Sequence, residues 1–459
     1  MIPDPIRTWA EARPDAPAVV TEAAVWSWAD LDARVSGCAS RLAATRIAGE
    51  TRIGVVAGTG ADLVVLLFAA RRAGVAVVPL APRWPAADVT AAAARLGLRR
   101  VLDEAALADI VAPHPGSQSS SPPPVAPAQP WTVVHTSGSS GAPKAVVHTV
   151  ENHVESARGV NARLDLRAGD TWLLDLPLHH VGGLGVVVRC ALAGAAMAIP
   201  APGTGTAEAL RRFAPTHASL VSTQLYRLLR DDAAAGASLR AVLLGGSGIA
   251  PALLDAAVAA GLPVCVGYGM TETTSTVTMT APGAPRDALA TSGTPLPGRE
   301  VRISPSGEIE VRGPTLATGV LTPDGLVPLP THDGWFATGD LGRLDAAGRL
   351  VVSGRAGTRF VSGGENVQPE AVEAALAALP GVAEAVVVPV PDAEWGARPV
   401  AFARTDSGAP PDAEAIRAAL RRVLPPWAVP IAVLAWGGAA GLKPDRAALA
   451  AEAARVVAG

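Results

Sequence analysis

The sequence predicts an α/β fold: a large N-terminal domain of α/β sheets that includes a β-rich subdomain, followed by a small α+β C-terminal domain. Three observations carry this. Up to about residue 292, short and nearly continuous apolar strands alternate with helical patterns, as in parallel sheets covered by helices on both faces. From Gly293 the texture changes to short strands and turns, and past Gly354-Arg355 it breaks again into small strands and helices. At 459 residues the chain can hold two or more domains and a sizeable core.

The elements follow in order. A short hairpin (Ala18–Val20, Val25–Trp26) precedes an amphipathic helix from Trp28 to Ala44. Arg52–Ala57 reads as a buried strand, Ala61–Ala73 as a helix and Ala76–Leu80 as a strand. Pro113–Pro130 is rich in Pro, Ser and Gln and is expected to be a flexible linker or loop without chemistry. Next come a strand from Trp131, a helix over Asn152–Arg163, a strand at Thr171–Leu176 and a helix over Leu184–Ala195. Ala218–Gln224 runs from strand into helix, and Arg240–Leu244 and Val264–Tyr268 are strands. Glu300–Ile303, Gly307–Val311 and Trp335–Asp340 give the β-rich part. The C-terminal part holds a helix at Pro369–Ala378, a strand at Ala383–Val388 and a helix at Asp412–Val423.

Bulk properties exclude several classes. A net charge of −3 gives no field for nucleic acid or an anionic membrane. Cys38, Cys190 and Cys265 have no metal or disulfide spacing, which points to a reducing cytoplasm. The N-terminus lacks the apolar core of a signal peptide. The apolar runs at Leu63–Ala70 and Gly182–Pro200 are too short or carry an arginine, so no membrane insertion is expected. A homo-oligomer is compatible with the sequence, which does not set the oligomeric state.

Chemistry gathers where strands end. The strand from Trp131 empties into a run of hydroxyls and glycines closed by Lys144. Glycines let backbone N–H groups approach an anion, hydroxyls add donors, and the lysine adds a charge, which is what a polyphosphate needs. A Walker A loop fits poorly, because no Gly-Lys-Ser/Thr follows the spacing. Later strands likewise end in Gly245-Gly246-Ser247-Gly248 and Gly269-Met270-Thr271-Glu272. Ligands of open α/β sheets sit at the carboxyl ends of strands, so these loops are expected to converge.

Together these motifs resemble the adenylate-forming superfamily of acyl-CoA synthetases, luciferases and peptide-synthetase adenylation domains, over nearly the whole chain and in the family's order. Thr136, Ser137, Gly138, Ser139, Ser140, Gly141 and Lys144 resemble its phosphate loop. Gly245, Gly246 and Ser247 resemble its adenine-binding turn, and Tyr268, Gly269, Met270, Thr271 and Glu272 the segment ending in its threonine–glutamate pair. Asp340 after Thr338-Gly339, and Arg355 after Gly354, resemble its ribose-binding aspartate and arginine; Lys443 in Gly441-Leu442-Lys443 resembles its late lysine. The resemblance implies ATP, Mg²⁺ and coenzyme A as co-substrates or cofactors. It also implies a mobile C-terminal domain, 355–459, that turns on the N-terminal domain, 1–354, between two half-reactions.

The implied roles follow. A carboxylate attacks the α-phosphate of ATP, and the two anions need preorganised positive charge. Lys443 suits that role, with an exposed surface lysine as the alternative. Glu272 suits Mg²⁺, with a helix-capping acid beside Thr271 as the alternative. Asp340 suits the ribose hydroxyls, and its alternative is a turn aspartate. Arg355 suits ribose or phosphate, or else a surface ion pair. The family's pivot usually carries an aspartate or lysine two residues past that arginine. Here it is Gly357, which permits rotation but lacks any side chain to lock the pivot.

The acyl pocket is expected around His179–Arg189, Ser222, Thr223, Gly245 and Thr271. Arg189 lies in an apolar helix with no acid at i±3 or i±4, so a distant acid or the ligand must neutralise it, unless it reaches solvent from the helix edge. His180 gates or stacks at the acyl carboxylate, or is a satisfied structural histidine. The runs His180–Arg189, Val221–Leu225 and Ser362–Pro369 resemble those of o-succinylbenzoate–CoA ligases of menaquinone biosynthesis. In their substrate the succinyl carboxylate is activated and the benzoate carboxylate needs a cation, which Arg189 would supply. The Glu365-Asn366 loop would help form the thioesterification site. Alternatives are another aryl or short-chain acyl-CoA ligase, an adenylating enzyme loading a carrier protein, and a catalytically silent nucleotide-binding homologue.

Overall fold

The structure is a computed structural model that describes residues 1–45, 47–112, 124–136, 144–246, 249, 251–362, 365–392, 395–437 and 444–458. The chain divides into two compact units: Met1–Ser247, Ala257–Val301 and Val311–Phe336 form one, and Gly248–Ala256, Arg302–Glu310 and Ala337–Gly459 the other.

The first unit holds a nine-stranded and a seven-stranded sheet. In the nine-stranded sheet, Ala241–Leu244 lies between His217–Leu220 and Val264–Met270, all parallel. In the seven-stranded sheet, Arg52–Val56, Ala76–Leu80 and Pro130–Thr136 are successive parallel strands. The helices Trp28–Ala44, Ala61–Ala73, Val150–Leu164 and Val181–Ala193 share one apolar core with strands of both sheets. Val181–Ala193 is apolar almost all round, as a helix enclosed in a core must be.

Several expectations change here. The helices Ala86–Arg95 and Glu104–Val111 lie outside the elements expected from the sequence. Residues 113–123 are not described, but the end of the supposed loop is not free chain. Val125 is buried and bridges Ile2, and the Gln129 side chain donates to the Arg71 carbonyl at 2.8 Å. Val264–Met270 does not empty into an open loop; it turns back through Thr271–Thr273 into the antiparallel strand Ser275–Met279. As expected, Glu300–Ile303, Glu308–Arg312 and Trp335–Leu344 belong to one β-sheet, a five-stranded one with Thr331–His332 and Leu350–Arg355, but three other strands after Gly293 join the larger sheets. Gly319–Thr322 and Gly325–Pro328 extend the seven-stranded sheet, and Thr294–Pro295 extends the nine-stranded one. Edge strands with unpaired backbone groups gain hydrogen bonds that way.

In the second unit Val382–Asp392 pairs antiparallel with Gly396–Thr405, which pairs parallel with Ala432–Ala435. Apolar clusters lie on both faces, one with the helices Pro369–Ala377 and Ala413–Leu420, the other with Arg446–Ala458. The expected cut at 354/355 falls inside this unit, because Asp340 and Arg355 are register partners of one antiparallel pair.

Candidate active site

Thr136 and Lys144 face each other as register partners at the open end of an antiparallel pair, Pro130–Thr136 with Lys144–Thr149. Ser137, Gly138, Ser139, Ser140 and Gly141 between them lie outside the described residues.

The Thr271–Glu272 turn is held by its backbone from three directions. His148 Nε2 bonds the Thr271 carbonyl at 2.8 Å, the Ala317 N–H donates to the Glu272 carbonyl at 2.9 Å, and the Ser156 hydroxyl donates to the Thr274 carbonyl at 2.5 Å. Tyr268, Gly269 and Met270 form the strand end leading into it. A β-carbon on Gly269 would lie 1.8 Å from the Ser275 carbonyl oxygen, so only glycine allows this close return. By contrast, the Glu272 carboxylate, half-buried, makes no hydrogen bond or ion pair with a described residue. A fixed backbone carrying an uncommitted carboxylate fits Mg²⁺, which takes one or two carboxylates alongside phosphates. The reading of Glu272 as a capping acid gains nothing from this geometry.

His148, Ser156 and Ala317 were absent from the residues expected at this site. One signal was available. Asn152, Ser156, Gly159 and Arg163 fall on one face of the Val150–Leu164 helix. Asn152 donates to the Pro314 and Leu316 carbonyls, Ser156 bonds Thr274, Arg299 packs where a Gly159 β-carbon would be, and Arg163 bonds Thr294 at 3.2 Å.

Arg189 is 1% exposed, which removes the solvent-reaching reading. Its Nη2 donates to the Ser275 hydroxyl at 3.2 Å and to Thr276 at 3.4 Å, while Nε has no partner. Its guanidinium lies 5.4 Å over the Trp172 ring. Among the described residues no carboxylate pairs with it. Burial, then the nearby Arg299, pushes its pKa down to about 10, and it remains a cation at neutral pH. Ser275 follows closely on Glu272, so the buried arginine bonds the segment that leaves the threonine–glutamate turn.

His180 caps the Val181–Ala193 helix by backbone position alone, its ring 4.5 Å from that of His179. Its ring has no hydrogen bond with a described residue. Burial, then Arg83, lowers its pKa. Ser222 and Thr223 open the helix Ser222–Asp232, which Gln224 ties to Asp175 at 2.9 Å. A β-carbon on Gly246 would lie 3.9 Å from Val221, and one on Gly245 3.5 Å from the Gly267 carbonyl, so neighbouring strand ends do adjoin. Ser247 lies outside the described residues.

In the second unit Arg355 Nε donates to Asp340 Oδ1 at 2.7 Å. The ion-pair reading of Arg355 is thus realised, with the other member of the expected ribose site as its partner. Asp340 is buried within the strand Trp335–Leu344, which removes the turn-aspartate reading; its N–H donates to the Thr338 hydroxyl at 3.1 Å, and that hydroxyl donates to the Ile309 carbonyl at 2.8 Å. Gly357 is exposed, and a β-carbon there would meet nothing within 4 Å. Gly357 itself has no side chain to bond, but its neighbours are tied: Thr358 donates to Glu370 at 2.8 Å, and Gln368 to the Arg355 carbonyl at 3.0 Å. Lys443 lies outside the described residues, as do Gly363 and Gly364 beside Glu365.

A family model described as AMP-binding enzyme matches residues 6–321, and one described as AMP-binding enzyme C-terminal domain matches residues 371–437. The chain belongs to the AMP-binding enzyme family. This AMP-binding enzyme is 39% identical over 405 residues to the 2-succinylbenzoate–CoA ligase of Salmonella typhimurium, covering 86% of each chain. An arginine-to-lysine variant of Escherichia coli MenE with bound OSB-AMS matches it with a TM-score of 0.85 at 32% identity, covering 99% of this chain and 100% of that one. The o-succinylbenzoate coenzyme A synthetase of Bacillus subtilis in complex with ATP and magnesium ion matches with a TM-score of 0.83 at 26% identity, covering 95% and 96%. The expected fold, a large α/β domain with a small C-terminal one, is therefore the family's fold.

Proposed function

We propose that this chain is an ATP-dependent acid–thiol ligase that adenylates o-succinylbenzoate and transfers the acyl group to coenzyme A in menaquinone biosynthesis. The observation that carries the substrate is Arg189, a buried cation without a carboxylate, bonded to hydroxyls that closely follow Glu272. An arginine fork suits the benzoate carboxylate, and leaves the succinyl carboxylate to react. Relatives named for this reaction, at 39% identity, support the reading.

In the first half-reaction a succinyl carboxylate oxygen bonds to the α-phosphorus of ATP, and the bond to pyrophosphate breaks. In the second, the coenzyme A thiolate bonds to the acyl carbon and AMP leaves with the electron pair. Arg189 orients the acid, with His180, Ser222 and Thr223 beside the acyl group. Thr136 to Lys144 binds the β- and γ-phosphates; Gly245, Gly246, Ser247 and Tyr268 bind adenine; Asp340 and Arg355 bind the ribose. Glu272 would hold Mg²⁺, which supplies charge neutralisation at the phosphates when bound. Lys443 stabilises the charge developing between carboxylate and α-phosphate. Gly357 is the pivot between the half-reactions.

Among the described residues no helix is long and apolar enough to cross a membrane, and the three cysteines are free and buried. A reducing cytoplasm and small-molecule substrates fit the proposal. It is tested by AMP release from ATP, Mg²⁺, coenzyme A and a panel of acids. Release with o-succinylbenzoate is expected; turnover of simple benzoates but not of o-succinylbenzoate overturns the proposal.

A further inference from the structure

We infer that His148 is a positioning residue for the Thr271–Glu272 turn, the last link of a one-way hydrogen-bond chain that runs His153, Thr132, His148, Thr271. The inference rests on the reading of that turn as part of the nucleotide site.

The direction follows from the acceptor at its end. A carbonyl oxygen only accepts, so His148 carries its proton on Nε2, 2.8 Å from Thr271. A neutral imidazole has one N–H, which leaves Nδ1 as an acceptor. That nitrogen faces the Thr132 hydroxyl at 3.4 Å, which turns its proton toward it. The hydroxyl oxygen then accepts from His153 Nε2 at 2.8 Å. All three side chains are buried, and burial is the leading cause holding the pKa of His148 down to about 4 and that of His153 well below its ordinary value. Both rings are therefore neutral at physiological pH, as the chain requires. Hydrogen bonds aligned in one sense polarise one another, and the low-dielectric interior strengthens the last of them.

The placement gives the chain its purpose. Thr132 and His148 are register partners on the two strands that flank residues 137–143. His148 alone reaches from that pair to the Thr271 carbonyl, 123 residues later in the chain. It thus sets the phosphate-binding hairpin against the turn that carries Glu272. Apolar side chains could fill the same volume, but would leave the Thr271 carbonyl without its donor, and the turn held only by the Ala317 N–H and the Ser156 hydroxyl.

The test uses the full-length enzyme with two assays: adenylation, followed by pyrophosphate release, and thioester formation from presynthesised acyl-adenylate. His148→Phe keeps a ring and removes the donor; it is expected to cut adenylation kcat/KM for MgATP about 10- to 100-fold while thioester formation stays within about threefold. His148→Gln restores an amide donor and is expected to recover most of the loss. Wild-type adenylation in His148→Phe, equal losses in both assays, or no recovery in His148→Gln would overturn the inference. If His148→Phe does not fold, Thr132→Val serves: a loss of about three- to tenfold confined to adenylation supports the chain, and no loss overturns it. Glu272→Gln separates the two readings. If it adenylates normally, the assignment of the turn fails; if it is inactive while His148→Phe is normal, only the positioning role fails.

Discussion

Two regions of the first unit bury arginines on opposite terms. Arg71 and Arg72 are enclosed with Asp4 and Asp32: Arg71 pairs with Asp4 at 3.2 Å, and Arg72 with Asp4 at 2.9 Å and Asp32 at 2.6 Å. Burial lowers the Arg71 pKa despite Asp4, whereas the bonds of Arg72 to Asp4 and Asp32 outweigh burial and raise its pKa overall. Arg189, equally buried, has hydroxyls, an indole face and a neighbouring Arg299, and its pKa falls to about 10. The first arrangement is complete within the protein. Among the described residues the second has no anion, and this difference supports the proposed substrate role of Arg189 where burial alone would not.

Removing one partner should separate the two most sharply. Asp4→Asn strands the buried Arg71 and leaves Arg72 with Asp32 alone, and is expected to cost about 3–5 kcal/mol of unfolding free energy by chemical denaturation. Arg189→Met removes a charge that has no counter-charge, and should leave stability unchanged within about 1 kcal/mol or raise it. A large loss in Arg189→Met would mean that the arginine is structural after all.

Acid sharpens the same contrast. Burial acts to raise the Asp4 pKa, but the hydrogen bond and charge of Arg72, with the Arg7 N–H and Arg71, hold it below its ordinary 3.8. A folded-state value below the unfolded one adds stability that is complete above pH 3.8 and is lost as the pH falls through the folded value. The stability gap between wild type and Asp4→Asn should therefore be greatest at neutral pH and close below pH 3.8, whereas the gap for Arg189→Met should not follow this acid limb. Parallel behaviour of the two variants would erase the distinction.

The smallest effect is expected at Gly185, one turn before Arg189. A β-carbon there would lie 3.1 Å from Arg189 Nη2. Gly185→Ala favours the helix by about 1 kcal/mol yet crowds the guanidinium. Stability should hold while KM for o-succinylbenzoate rises about threefold, on the order of 0.7 kcal/mol. An unchanged KM would show that the guanidinium has room to spare.

How much of this the sequence discloses depends on separation along the chain. The apolar setting of Arg189 is local, so its burial and its lack of a nearby acid could be read directly. The α/β order was legible for the same reason, since strand and helix periods are local. The partner of Arg71 lies 67 residues away, and the Thr271 carbonyl 123 residues from His148. Such pairings are made by sheet topology, which periodicity does not encode. Neither Asp4 nor His148 carries a local sign of these bonds. Only the stripe Asn152, Ser156, Gly159 and Arg163 announced a buried polar face, and only to a reading of helical spacing.

The most direct measurement compares kcat/KM for o-succinylbenzoate and for 4-oxo-4-phenylbutanoate, which keeps the reacting carboxylate and lacks the one on the ring, in wild type and Arg189→Met. The account predicts that the substitution lowers the value for o-succinylbenzoate by about 10- to 100-fold, the range for a charged hydrogen bond, and leaves the analogue nearly unaffected. An equal loss with both acids would contradict it.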